Sequence, residues 1–282
     1  MVKKEEKESR KKEEDRITPE PIEEVKLKII SPVKKEEKEE VEEELKEVVE
    51  ERVKTREERI QEEKQQKLVS WKPKTRLGLL VKEGKVKNID EIFDRGEIIL
   101  EEQVVDLLVP NLQVDLLSIG QAKGKFGGGK RRVWRQTQKK TAEGNVPSFG
   151  CMAVVGDSSG HVGIGLGKAR ETLPAKEKAI REAKLNLIKV KRGCGSFDCS
   201  CNETHSIPFK VQGKTASAVI TLIPAAKGTG LVIEDECKKI MRLAGIKDVY
   251  SRTFGQTRSK INLAKACIKA LEEIAKVKEA RK

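Results

Sequence analysis

The sequence predicts an α+β fold in two small domains behind a charged extension. Three observations carry that expectation. Charge divides the chain: residues 1–70 hold 19 Lys/Arg against 23 Asp/Glu, and residues 71–282 hold 40 against 23, so an arm of net −4 precedes a body of net +17. In the body, stretches with the strand period of two alternate with stretches of helical period, in the order α-β-β-β-α and then β-β-α-β-α. Between those two runs, GCGSFDCSCNETH (residues 193–205) gathers three of the six cysteines and one of the two histidines. The expected division is an extension over 1–70, a first domain over 71–192, a Cys/His junction over 193–206 and a second domain over 207–282.

Residues 1–70 are low-complexity Lys/Glu sequence. Pro19, Pro21 and Pro32 interrupt the first half, and from Lys34 to Lys67 Glu and Lys/Arg recur at helical neighbour spacing without Pro or Gly. A disordered arm or a solvated single helix fits that composition, and no chemistry is assigned to it. The start MVKKEEKESRKKEED lacks the apolar core of a signal peptide, and no apolar run reaches the ~20 residues that span a bilayer. The expected location is the cytoplasm, where thiols stay reduced.

In the body, NIDEIF (88–93) and EEQVVDLLVP (101–110) read as short helices, the second ending at Pro110. LQVDLLSIGQ (112–121) reads as a strand, followed by a long basic, glycine-rich loop. GCMAVVGD (150–157) and HVGIGLGKA (161–169) read as strands joined by the turn DSSG. A helix follows, with Thr172 as candidate N-cap, Pro174 in the first turn, and Ile180, Ala183 and Leu187 on one face. In the second run, IPFKVQGKT and SAVITLIPA form a hairpin, VIEDECKKIMRLAG is a helix stopped by Gly245, DVYSRTFG is a strand, and SKINLAKACIKALEEIAKV is the last helix.

A strongly basic body points to a polyanionic partner. The loop KGKFGGGKRR (123–132) and its flanks offer cations, bare backbone amides and stacking faces for RNA. The candidate contacts are Lys123, Lys125, Phe126, Gly127, Gly128, Lys130, Arg131, Arg132, Trp134 and Arg135, with Lys168 and Arg170 after the second strand. The order of residues is not that of a nucleotide P-loop. Gly163, Gly165 and Gly167 share one strand face, bare enough for nucleic acid or for a tightly packed helix. PAAKGTG (224–230) is a strand-to-helix turn suited to a phosphate or to a protein edge, or is a plain turn. No catalytic set assembles, so no enzyme is expected. His161 reads as a surface residue, and Cys151, Cys237 and Cys267 as buried thiols.

Cys194, Cys199, Cys201 and His205 are spaced C-x4-C-x-C-x3-H. Three thiolates and an imidazole satisfy tetrahedral Zn²⁺, and Gly193 and Gly195 permit the sharp backbone that close ligands need. On an extended strand the sulfurs of C-x-C point apart, so the segment must curl. A structural zinc ion, inert reduced thiols, and a redox or iron–sulfur site are the competing readings.

The order of these motifs resembles the ribosomal protein S-five family of the small subunit, in its archaeal form. The matching stretches are SWKPKTRLGLLVKEGKVKNIDEIF, VVGDSSGHVGIGLGKA, KAIREAKLNLIKVKRGCGS, HSIPFKVQGK, TLIPAAKGTGLV and AGIKDVYSRTFGQTRSKINLAKA, collinear from Trp71 to about Ala275. The resemblance implies a first domain similar to double-stranded-RNA-binding domains, with the 123–132 loop on ribosomal RNA. It implies a second β-β-α-β-α domain with a left-handed βαβ crossover. It also implies a structural role in the small subunit: binding its ribosomal RNA and the fourth and eighth small-subunit proteins, near the messenger-RNA entry channel, with influence on decoding accuracy. Lys227, Gly228, Thr229 and Gly230 match the family's edge toward the fourth protein. Archaeal relatives resemble the Cys/His pattern, and bacterial members keep the fold without it. The segment is therefore expected to fix the junction between the domains, with zinc or without. Two features depart from the family pattern, the extension 1–70 and the longer loop 123–146. The alternatives are a free zinc-dependent RNA-binding regulator and an enzyme on the kinase-like second fold, for which no phosphate loop is found.

Overall fold

A computed structural model describes residues 66, 68–121, 131–201 and 203–276. The extension thus lies almost wholly outside the described residues, as do Lys123, Lys125, Phe126, Gly127, Gly128 and Lys130 of the basic loop. Three short helices come first: α1 (Arg76–Lys82), α2 (Ile89–Arg95) and α3 (Glu102–Leu108). The sequence reading had no counterpart for α1, whose seven residues are started by Thr75, its Oγ1 accepting from Gly78 N. The three helices bury Leu77, Val81, Ile89, Ile92, Val104 and Val105 against Trp71. Glu101 ties this cluster together: its carboxylate accepts from Trp71 Nε1 at 2.9 Å and from the backbone N–H groups of Lys74 and Thr75 at 2.9 and 2.7 Å.

The first sheet contains β1 (Gln113–Leu117), β2 (Arg135–Thr141), β3 (Gly144–Gly156), β4 (His161–Ala169) and β5 (Leu187–Lys189). Its order is β1-β3-β4-β5, with β2 also on β3. The segment expected as one long loop therefore carries a hairpin, β2 with the first half of β3, in register Arg135↔Gly150 to Thr141↔Gly144. Every residue of β2 is exposed, so no apolar alternation marked it as a strand. β1 pairs the second half of β3 on the same edge, Gln113↔Gly156 to Leu117↔Met152.

The glycine stripe on β4 is covered by α4 (Thr172–Leu185), whose inward residues are Ala175, Ala179 and Ala183. A Cβ on Gly163, Gly165 or Gly167 would lie 2.0–2.2 Å from the carbonyl oxygens of Ala183, Ala179 and Ala175 respectively. Of the two readings for these glycines, close helix packing is the one realised. It also explains why Ile180 is only half-buried, since the backbone contact leaves room for Ala but not for larger side chains. Leu187, expected on the same helix face, instead lies past the end of α4 and pairs with Gly163 in β5. The N-cap is Glu171, one residue before Thr172.

The opposite face of the sheet, with Met152, Val154, Val162 and Ile164, enters a core shared with the second sheet. That sheet has β6 (Val211–Thr215), β7 (Ala218–Pro224), β8 (Leu231–Val232) and β9 (Val249–Phe254), in the order β6-β7-β9-β8. The two-residue β8, too short to show a period, lies parallel to β9 and brackets α5 (Asp235–Leu243). The last helix, α6 (Lys260–Lys276), lays Ala266 and Ala270 on Gly213, where a Cβ would meet Ala266 O at 2.0 Å. Both sheets thus use the same device, an alanine stripe on a bare strand. Helices α5 and α6 put Ile240, Met241, Leu263 and Leu271 into the shared core. Polar clips fix the register: Glu236 accepts from Ser118 N at 2.8 Å, and Lys239 Nζ donates to Leu116 O at 2.9 Å. Residues from Leu68 onward form one compact unit.

Candidate metal centre and RNA-facing surface

The Cys/His segment is a closed loop. Gly193 and Ser206 exchange two backbone hydrogen bonds of 2.9 Å, and Gly195 N donates to Ile207 O at 3.2 Å. Gly195 is required there, since a Cβ would sit 2.0 Å from Pro208 O. Inside this pinch the chain curls through a turn at Phe197 and Asp198, so the C-x-C sulfurs converge. The ligand atoms of Cys194, Cys199, Cys201 and His205 all lie within 4.8 Å of one another. Cys201 Sγ is 3.6 Å from Cys194 Sγ, and Cys199 Sγ is 3.7 Å from His205 Nε2. The closest pair, Cys199 and Cys201, is hydrogen-bonded at 2.9 Å. That bond between the two sulfurs lowers the pKa of Cys199 to about 6 and raises that of Cys201 to about 11. Such a cluster can hold a metal ion.

His205 is buried and oriented by Asp248, whose Oδ2 is 2.8 Å from Nδ1, leaving Nε2 toward the sulfurs. Asp248 stands immediately before β9, 43 residues from His205, and no local signal linked the two. Its other oxygen accepts from Gly228 N at 3.1 Å and Gly230 N at 2.8 Å. The Lys227–Gly230 turn, expected as a protein edge, is thus part of the same hydrogen-bonded assembly. Lys227 pairs with Glu203 at 2.6 Å, which raises the ammonium and lowers the carboxyl relative to their ordinary values.

On the first sheet, Arg135, Gly150 and Lys168 are mutual partners in neighbouring strands and so share one face. Two exposed cations flank a bare glycine, with backbones about 10 Å apart across the two strand spacings. Lys139, exposed and four residues further along β2, extends the row on that face; sequence reasoning passed over it because β2 was taken as loop. Arg132 and Arg170 are exposed nearby in sequence, and Arg131 is half-buried. Trp134 is half-buried against Cys151, Ala153, Ala175 and Ala179, so part of its ring is used in packing. The loop's base is described even though its tip is not: Gly120 N donates to Arg132 O at 2.8 Å, and a Cβ on Gly120 would lie 2.2 Å from Trp134 O.

Two family descriptions match the chain. "Ribosomal protein S5, N-terminal domain" matches residues 133–191, and "Ribosomal protein S5, C-terminal domain" matches residues 213–282. A "Small ribosomal subunit protein uS5" of Nanoarchaeum equitans is 51% identical over 208 residues, 74% of this chain and 89% of the relative. The chain belongs to the uS5 family of small-subunit ribosomal proteins. Family members named in the same way from Staphylothermus marinus and Aeropyrum pernix are 47% and 48% identical, over 74% and 72% of this chain and 91% and 87% of their own lengths. The Cys/His loop falls between the two matched uS5 stretches.

One cluster, around His161, was misread from sequence. His161 is buried, not on the surface, with Nδ1 2.7 Å from Asp157 Oδ2 and Nε2 3.1 Å from Asp90 Oδ1. Phe93 stacks on it at 5.8 Å. Both ring nitrogens face carboxylates, so both must donate and the ring is an imidazolium. Burial works to lower the His161 pKa, but Asp157 and Asp90 outweigh it and the net shift is upward. Burial likewise opposes ionisation of Asp157, yet the hydrogen bonds from His161 and Ser159 bring it down to about 2. The triad pins α2 to the β3–β4 turn. Among the described residues no helix is long and apolar enough to cross a membrane.

Proposed function

We propose that the chain is a structural, RNA-binding constituent of the small ribosomal subunit, working in the cytoplasm and not as an enzyme. The match to uS5 relatives over most of their length carries this reading. The free zinc-dependent regulator finds no support among the relatives. The Arg135–Gly150–Lys168 row, with Lys139, Arg132 and Arg170, supports contact with the phosphates of small-subunit ribosomal RNA, and the basic loop 123–132 extends that surface. The Lys227–Gly230 turn is the edge proposed for the fourth small-subunit protein; the eighth protein and the nearby messenger RNA complete the expected surroundings. The division into domains over 71–192 and 207–282 around the 193–206 loop belongs to the same reading.

We further propose that Cys194, Cys199, Cys201 and His205 hold one structural Zn²⁺. A Zn–S bond of ~2.3 Å sets ligand sulfurs about 3.8 Å apart in a tetrahedron. The 3.6 Å between Cys201 and Cys194 fits that edge, and Cys199 and Cys201 must part by about 1 Å once both lose their protons. Zinc supplies a cross-link here and takes part in no reaction.

Tagged full-length chain should co-sediment with small subunits in a gradient and leave them only as salt rises, since many phosphate contacts release counterions. Recovery solely in the free fraction at moderate salt refutes the ribosomal reading. Elemental analysis should find about one zinc per chain; folded protein that takes up none from added Zn²⁺ refutes the metal reading.

A further inference from the structure

We propose that Asp248 is the positioning residue of the metal centre and that it couples metal binding to the Lys227–Gly230 turn. The inference rests on the zinc reading above. Asp248 is 4% exposed, and its two oxygens serve different partners. Oδ2 receives the His205 Nδ1 proton at 2.8 Å, which fixes the tautomer with a free Nε2 lone pair directed at the cluster. Oδ1 receives the amides of Gly228 and Gly230, at 3.1 and 2.8 Å. A carboxylate is one rigid plane, so a displacement of His205 reaches the turn through it.

The backbone reinforces the link. Lys247 N and Asp248 N both donate to His205 O, at 2.9 and 3.1 Å. Ser206 Oγ donates to Asp248 O at 2.6 Å and accepts from Ala225 N, which leads into the turn. The turn also reaches back to the loop directly, because Lys227 Nζ donates to Glu203 Oε1 at 2.6 Å, between Cys201 and His205. Gly228 and Gly230 adopt φ of +89° and +76°, a backbone that needs those acceptors to be held in one conformation. Metal bound at His205 therefore orders the turn, and by linkage a held turn tightens the metal.

The test uses the full chain with Zn²⁺ alone as ligand, its affinity read by competition with a chelator and turn order by amide hydrogen exchange. Removing zinc should speed exchange at Gly228 and Gly230 by about tenfold or more, with Ile220 of β7 unmoved. Asp248→Asn keeps one acceptor but cannot serve both partners, and should weaken zinc binding by about 10–100-fold. Gly230→Ala removes no ligand and strains only the turn, yet should weaken zinc binding about fivefold or more; it carries the test if Asp248→Asn does not fold. Wild-type chain that binds zinc but shows unchanged Gly228 and Gly230 exchange on its removal overturns the coupling and leaves the metal reading standing. Unaltered zinc affinity in Gly230→Ala overturns it equally. Wild-type chain that binds no zinc overturns the metal reading and the coupling together.

Discussion

Replacing Gly165 by alanine tests the packing at the centre of the first sheet. A Cβ there would lie 2.2 Å from Ala179 O and 2.3 Å from Ala183 N, both backbone atoms of α4. Ordinary contact begins near 3.4 Å, so α4 has to lift by roughly 1 Å. The lift cannot stay local, because Ala175 and Ala179 also pack with Cys151 and Ala153. A gap of about 0.5–1 Å forfeits about a quarter to a half of each dispersion contact along that seam. Overpacking costs about 1–3 kcal/mol where side chains can yield; with two backbone atoms in the way the upper end, about 3 kcal/mol, is expected. Urea unfolding of the full chain should show a midpoint lower by about 1 M, taking an m-value of about 3 kcal/mol/M. Gly150→Ala is the control on the next strand. Its Cβ would find its nearest neighbours at 3.8 Å, so it should be neutral or stabilising by up to about 1 kcal/mol. If Gly165→Ala unfolds at the wild-type midpoint while losing affinity for ribosomal RNA, the stripe is an RNA face and the packing argument is wrong.

Other consequences are open to equally direct measurement. His161 carries a pKa above its ordinary 6.5, so its charge contributes stability that is fully present below pH 6.5 and is lost as pH rises through the raised value. Denaturation followed from pH 6 to 9 should show that loss in wild type and not in His161→Gln; parallel curves would refute the imidazolium assignment. The opposite limb belongs to Asp157: its contribution is present above 3.8 and disappears as pH falls toward about 2. Arg135→Ala with Lys168→Ala should lower affinity for small-subunit ribosomal RNA and reduce the slope of log K against log salt by about 1–2, measured by fluorescence anisotropy; an unchanged slope removes these residues from the interface. Glu101→Ala strands three donors, at Trp71, Lys74 and Thr75, and should cost about 1–3 kcal/mol in chemical denaturation, an effect below 0.5 kcal/mol counting against the clip. Gly195→Ala, blocked by Pro208 O at 2.0 Å, should open the loop and abolish zinc uptake in elemental analysis.

The elements that the residues disclosed are those whose period is carried by buried apolar side chains. α5, α6, β7 and β9 fall within one to three residues of the expected spans, because Ile220, Leu222, Ile240, Met241, Leu263 and Leu271 each mark an inward position. β2 was hidden for the opposite reason: all of its residues are exposed, and its strand state comes from pairing with β3. The inward face of α4 was misjudged at Ile180 because apolar size was weighed without the glycines opposite. The four ligands of the candidate metal centre stand within twelve residues of one another and were readable as a spacing. Asp248 and Asp90 were not, since His205 and Asp248 meet across 43 residues and His161 and Asp90 across 71, whereas Asp157, four residues from His161, was within local reach and was passed over. Local signals report ligands that are close in sequence; the groups that orient them are assembled by topology.

The hydrogen bonds of the Cys/His loop also decide what a metal there can organise. From the pinch onward, they run to Ser206, Ile207, Lys247, Asp248 and, from Glu203, to Lys227, all on the side of the second sheet. The connection to the first sheet is made before the loop begins, by Arg192, whose guanidinium donates to Ser158 O, Ser159 O and Gly245 O. Gly245, at φ +77°, packs so closely that a Cβ would sit 2.1 Å from Ser158 O. The two sheets are further joined by the shared apolar core and by the Glu236 and Lys239 clips, none of which involves a cysteine of the loop. On the readings proposed above, a metal in this loop would staple the loop to the second sheet and to the Lys227–Gly230 turn, while packing and Arg192 hold the two sheets together. Stripping the metal should accordingly leave the contact between the sheets in place, and exchange at Ser118 N, held by Glu236 across that contact, is the amide that reports it.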